Sequence, residues 1–182
     1  MTARSPNPEC PRNNQMIIIG IDTALRCTGY GVVEMDGKQF RAEDCGVIRN
    51  RPMLPVSECL RRLAGGIEEL IENFHPDIAA IEGTFYSKNA RTAMVLGMAR
   101  GAVVSRLAQH QIPAFEYAPR KAKKIVVGYG NASKEQVADF MAKMLGLAIK
   151  EIPDDATDAI ALAVCHGLML QTANGIYVPD PL

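Results

Sequence analysis

The sequence predicts an α/β fold, a five-stranded mixed sheet with helices on both faces. Three observations predict it. From residue 54 onward, short apolar runs alternate with stretches of helical periodicity, the pattern of parallel strands joined by helices. The earlier runs instead flank Asp36-Gly37, a hairpin dipeptide, so the sheet opens antiparallel. The first run, MIIIGID over Met16–Asp22, is apolar at consecutive positions, as a strand covered on both faces must be.

Each element follows from its local signals. Met16–Asp22, Thr28–Met35 and Phe40–Arg49 read as strands. Leu54–Phe74 carries Leu60, Leu63, Ile67, Leu70, Ile71 and Phe74 at helical spacing, with Gly65-Gly66 as a weak point and His75-Pro76 as the stop. Asp77–Glu82 is a short buried strand, Asn89–His110 a long helix, and Ile112–Tyr117 the fifth strand. Pro119 suits a first helical turn and opens a basic helix that ends at Gly128 and Gly130. Ser133-Lys134-Glu135-Gln136 is a capping box starting the next helix, which ends near Gly146. Asp155–Gln171 is the last helix, and the closing GIYVPDPL is expected to fray. The expected organisation is a tail over 1–15, one folded body over 16–173 and a C-terminal tail over 174–182.

Composition limits the function classes. A chain of 182 residues with 48% hydrophobic and 22% charged side chains suits one globular domain. No apolar run approaches the ~20 residues of a membrane span. The first fifteen residues lack the apolar stretch of a signal peptide, so a cytoplasmic protein is expected. The five cysteines are scattered and none has C-x-x-C spacing, which argues against a disulfide framework and a zinc site. His75, His110 and His166 have no partner at nucleophile or metal spacing and receive no catalytic role. Net charge is zero, yet residues 83–134 hold nine Lys and Arg against one acid, while residues 135–182 hold seven acids against two Lys. A local basic segment of this kind attracts polyanions.

The acids carry the chemistry. Asp22 ends the first strand and Glu82 the fourth, and ligands of open sheets bind at the carboxyl ends of strands. Asp155 and Asp158 lie three apart in the first turns of the last helix and share a face. Singly, such residues cap turns or complement a helix dipole. Together they offer hard oxygen ligands suited to Mg²⁺ or Mn²⁺, and two such ions serve phosphoryl transfer. Glu34 and Asp44 are expected to face solvent. Phe85-Tyr86, just after Glu82, is placed to stack on a base. Ala93, Met94, Gly97, Met98 and Gly101 form a small-residue face on the long helix, for the core or for a two-fold interface.

Four segments resemble the RuvC family of Holliday-junction resolvases. IIIGIDTALRCTGYGVV resembles the family's first strand pair, and IAAIEGTFYSKNARTAMVLGMARG its second acidic motif and following helix. IPAFEYAPRKAKKIVVGYGNASKEQV resembles its basic segment, and DDATDAIALAVCH its final acidic motif. The match covers about residues 16–170 with the motifs in register. It implies an RNase H-like fold, a homodimer, and paired symmetric nicking of a four-way DNA junction with Mg²⁺. By position, the family's catalytic and metal-binding acids fall on Asp22, Glu82, Asp155 and Asp158. Its base-stacking aromatic falls on Phe85 and its basic-segment lysines on Lys123 and Lys134. Lys88, Arg91, Lys121 and Lys124 complete the expected DNA-binding set.

The resemblance further implies two ions per site, with Mn²⁺ able to replace Mg²⁺, and a branch-migration complex of the RuvA and RuvB type as partner. One departure stands out. Where the family usually has Asp-Pro-Gly-Ser or Asp-Pro-Gly-Thr, this chain has Asp22-Thr23-Ala24-Leu25, so this loop is expected to take another shape. That departure is the only support for a catalytically inactive junction-binding protein. An RNase H-like nuclease acting on structured RNA is a further alternative, because nothing in the sequence reads a 2′-hydroxyl. A sugar-kinase or actin-like ATPase would need a second such domain and a second phosphate loop.

Overall fold

The computed structural model describes residues 15–83, 89–146, 152–172 and 178–182. Five strands form one sheet in the order β3-β2-β1-β4-β5. They are β1 (Gln15–Asp22), β2 (Cys27–Asp36), β3 (Gln39–Arg49), β4 (Ile78–Glu82) and β5 (Ala114–Tyr117). The first three pair antiparallel, and β4 and β5 add in parallel beyond β1. Gly37, with φ of 57°, makes the tight β2–β3 turn that Asp36-Gly37 predicts.

Alternation along β1 divides the core. Ile19 and Ile21 face a layer formed by α1 (Val56–Phe74) and α2 (Ala90–Gln109). Ile18 faces the opposite layer of α3 (Pro119–Val127), α4 (Lys134–Leu145) and α5 (Asp154–Gln171). Helices therefore cover both faces. The centre of the sheet is dry on either side, which explains the unbroken apolar run of β1.

Helix boundaries follow the sequence signals closely. Ser133 caps α4 with a reciprocal bond from Gln136, and Gly128 and Gly146 end α3 and α4 in the left-handed region. Gly65 and Gly66 do not break α1. A Cβ on Gly66 would press on the Ile48 side chain, so this glycine lets α1 approach β3 closely.

At the C-terminal end, where fraying is expected, the Leu182 amide donates to Ala114 O on the β5 edge at 2.8 Å. Two expectations, on Glu34 and Asp44 and on the start of β1, are corrected. Glu34 is held by Arg41 at 2.7 Å, and Asp44 accepts a bond from the Tyr30 hydroxyl at 3.2 Å, so neither is an unpartnered surface acid. The strand pair begins one residue earlier than expected, at Gln15 opposite Asp36. Among the described residues, no helix is long and apolar enough to cross a membrane.

Candidate active site

Asp22 and Glu82 are the last residues of the parallel neighbours β1 and β4, so the sheet sets them side by side at one rim. The β1–β2 pairing places Gly29 opposite Asp22. A Cβ on Gly29 would overlap the Asp155 carbonyl, and one on Gly20 would overlap that of Ala159. The two glycines let the α5 backbone lie directly on the sheet, which brings the first turns of α5 to the same rim.

Asp22, Glu82 and Asp158 line one cleft of about 300 Å³, together with Lys123 and Lys134. Asp22 and Glu82 are half-buried and within hydrogen-bonding reach of each other. Burial, then the Glu82, Asp158 and Asp155 charges, push the Asp22 carboxyl up to about 8. Burial also raises Glu82, opposed by its bond from Asp22. The two carboxyls thus form a pair in which burial and mutual proximity favour retention of a proton. Asp155 stands beside this group rather than lining the cleft, and its carboxylate reaches the Cys27 thiol.

Two lysines supply positive charge. Lys134 Nζ bonds Asp158 at 2.9 Å, and Lys123 Nζ donates to Ala132 O at 3.0 Å, tying α3 to the turn before α4. The Lys134 ammonium is raised by that bond to Asp158. Lys121 and Lys124 are exposed on α3, and Lys121 lies 6.0 Å from the Tyr117 ring centre. Arg91 is exposed in the first turn of α2. Phe85 and Lys88 lie outside the described residues.

The acids are a fair match for a hard divalent cation. Every candidate donor is a carboxylate oxygen, the donor type of Mg²⁺ and Mn²⁺ sites. Burial first, and the neighbouring acid charges after it, raise the Asp22 carboxyl. Among the described residues, no three His, Cys, Asp or Glu side chains are gathered closely enough to hold an ion.

The loop that departs from the family pattern is built by other means. Thr23, Ala24 and Leu25 all have negative φ, so no glycine is required there. Thr28 Oγ1 accepts from Ala24 N at 3.2 Å and donates to Ala24 O at 2.5 Å. The buried Asn50 donates from Nδ2 to Leu25 O at 2.8 Å and to Cys59 O at 3.1 Å. Leu25 is sunk in the core. The Asn50 network joins residues distant in sequence, and no local signal announces it. Gly29-Tyr30-Gly31 within a strand is a readable sign of close backbone approach.

Residues 18–166 match the family model described as crossover junction endodeoxyribonuclease RuvC. A crossover junction endodeoxyribonuclease RuvC from Protochlamydia amoebophila is 43% identical over 157 residues, which cover 86% of this chain and 94% of that one. Its counterpart from Pelotomaculum thermopropionicum is 42% identical over 151 residues, covering 83% and 92%. The structure of T. thermophilus RuvC in complex with a Holliday junction substrate superposes with a TM-score of 0.84 at 29% identity, over 92% of this chain and 99% of that one. The five-stranded mixed sheet is thus the RNase H-like architecture of those proteins. The chain belongs to the RuvC family of crossover junction endodeoxyribonucleases.

Proposed function

We propose that the protein is a Mg²⁺-dependent endonuclease that resolves four-way DNA junctions by paired symmetric nicks, in the cytoplasm, during recombination and repair. The observation that carries this reading is the convergence of Asp22, Glu82 and Asp158 in one cleft whose wall also presents Lys123 and Lys134. Anionic ligands for a metal and cationic contacts for phosphate then sit within one site. Asp22, Glu82, Asp155 and Asp158 would hold Mg²⁺, or Mn²⁺ in its place, as a pair of ions. Bound there, the ions lower the pKa of an attacking water and offset charge building on the phosphate.

The remaining work falls to the chain itself. Burial and the neighbouring acids favour a proton on the Asp22 carboxyl, so ligation by all the acids goes with loss of that proton. Lys121 and Lys124, exposed on α3, anchor the backbone leading into the cleft. Phe85, three residues beyond Glu82, is the proposed stacking side chain, and Lys88 and Arg91 the contacts after it. Cleavage would leave a 5′-phosphate and a 3′-hydroxyl.

A two-fold homodimer suits the two equivalent strands of a junction. Met94 is 64% exposed and Met98 45% exposed on α2, and a Cβ on Gly97 or Gly101 would meet nothing. That face is therefore surface, and we assign it to the dimer. A branch-migration complex of the RuvA and RuvB type is the further partner.

Incubation of a synthetic four-way junction with protein and Mg²⁺, beside a matched duplex and a junction of the same sequence in RNA, tests the reading on a denaturing gel. Paired nicks in the DNA junction alone are expected. Binding without cutting would favour the inactive binder, and cutting of the RNA junction would favour the RNA nuclease.

A further inference from the structure

We infer that Arg100 is a positioning residue for Glu82, acting through the backbone rather than by touching substrate. Its side chain is only 15% exposed, unusual for an arginine. Nη1 donates to the Glu82 carbonyl oxygen at 2.8 Å, and Nη2 bonds the Glu116 carboxylate. Glu116 belongs to β5, adjacent to β4, and its side chain lies where a Cβ on Gly83 would have to go. The Gly83 amide donates to Tyr117 O at 2.9 Å. The end of β4 is thus fixed from two sides: β5 holds Gly83 through the backbone, and α2 holds Glu82 through Arg100.

This clamp answers a specific need. Glu82 is the last residue of its strand, so the ladder alone holds only one side of it. Its half-buried carboxyl shares one cleft with Asp22 and Asp158. A strand end yields more easily than a strand centre, so the Glu82 carboxyl keeps its place in the cleft only if the end of β4 is held. A guanidinium anchored through Nη2 to Glu116 presents Nη1 to the Glu82 carbonyl in a set geometry, which a lysine cannot reproduce. Arg100 also joins α2, whose exposed face we assign to the dimer, to an acid of the site.

The inference rests on the metal-site reading of the acids, and the test separates the two. Mn²⁺ binding to the DNA-free protein is measured by calorimetry for wild type, Arg100→Ala, Arg100→Lys and Glu116→Gln. Thermal melting in chelator and junction binding without divalent metal are measured alongside. Loss of an outer partner of a metal ligand typically weakens metal binding by about 10-fold or more. That loss is expected for Arg100→Ala, with partial recovery in Arg100→Lys, which keeps one bond to the Glu82 carbonyl. A smaller loss is expected for Glu116→Gln, and junction binding should be unchanged in all three. Mn²⁺ affinity equal to wild type in a folded Arg100→Lys and Glu116→Gln pair overturns the positioning role. If Arg100→Ala does not fold, that pair decides alone. Wild-type protein that binds no Mn²⁺ overturns the metal-site reading, and this inference with it.

Discussion

Lys134 Nζ lies 2.9 Å from an Asp158 carboxylate oxygen in the acid-lined cleft. The ammonium compensates one member of a crowded acidic group. It also stands on the wall that we assign to the DNA backbone. The two tasks conflict, because a divalent ion and a phosphate would each draw one member of the pair away.

Lys134→Ala should therefore act in opposite directions on two ligands. An exposed ion pair is worth about 0–1 kcal/mol, so DNA-free Mn²⁺ binding should tighten by up to about fivefold. Junction binding should weaken, with its salt slope reduced by roughly one. The same slope change is expected for Lys121→Ala and Lys124→Ala, which are exposed on α3. Lys123→Ala should also loosen the α3–α4 turn, since Lys123 Nζ is bonded to Ala132 O. Fluorescence anisotropy over a salt series measures the slopes. An unchanged slope in the variant lacking all four lysines places the DNA surface elsewhere.

Asp22→Asn should separate stability from activity. The Asp22 carboxyl is raised from 3.8 to about 8, so the folded protein holds a proton that the unfolded chain releases. Its stabilising share is full below about pH 4 and is lost as pH rises through 8. In chelator, wild-type melting temperature should fall over that window, and the Asn variant should be flatter and more stable at pH 8.5. The same variant should bind the junction and leave it uncut, as should Glu82→Gln and Asp155→Asn. Wild-type cutting rates in Asp22→Asn would remove Asp22 from the metal site.

His166 sets an acid limit on the fold. The ring is fully buried in α5, takes part in a 2.8 Å bond between Nδ1 and the Tyr117 hydroxyl, and lies 4.5 Å from the Phe115 ring. Its Nε2 has no partner among the described residues. Burial lowers its pKa from 6.5 to about 4. The unfolded chain then takes up a proton first, so stability is full above pH 6.5 and is lost as pH falls through 4. The loss at its fullest is roughly 3 kcal/mol. His166→Leu should remove this acid sensitivity while lowering stability at neutral pH, because the Tyr117 hydroxyl loses its partner. Urea unfolding at pH 4.5 and 7.5 for both proteins measures this. Equal acid losses would show that other groups set the limit.

Sequence periodicity suffices where structure is local. The β1 run, the Asp36-Gly37 turn and the Ser133 capping box depend on neighbours a few residues apart, and they stand where expected. Asp22, Glu82 and Asp158 were legible because strand ends and helix faces follow from element boundaries. What joins them was not. Arg100 reaches Glu82 and Asn50 reaches Leu25 only because the strand order is β3-β2-β1-β4-β5, and no local pattern fixes that order. The edge contact of Leu182 and the pairing of Asp44 with Tyr30 are legible only once the edge strand and the hairpin register are known.

Gly97→Arg should dissociate the proposed dimer without unfolding the chain. Gly97 is exposed on α2 between Met94 and Met98, and a Cβ there meets nothing within the chain. Sterically, an arginine fits the isolated subunit. It should even favour the helix, because glycine costs about 1 kcal/mol in a helix interior. Across a two-fold axis the same side chain meets its own copy, so two long cations would be forced into a close-packed contact. Circular dichroism should therefore show helix content and melting temperature at or above wild type. Sedimentation should show a monomer for the variant and a dimer for wild type. Junction nicks in the variant should lose their pairing, since one bound subunit reaches one strand. A Gly97→Arg protein that still sediments as a dimer moves the interface off this face, and a wild-type monomer on the junction removes the dimer altogether.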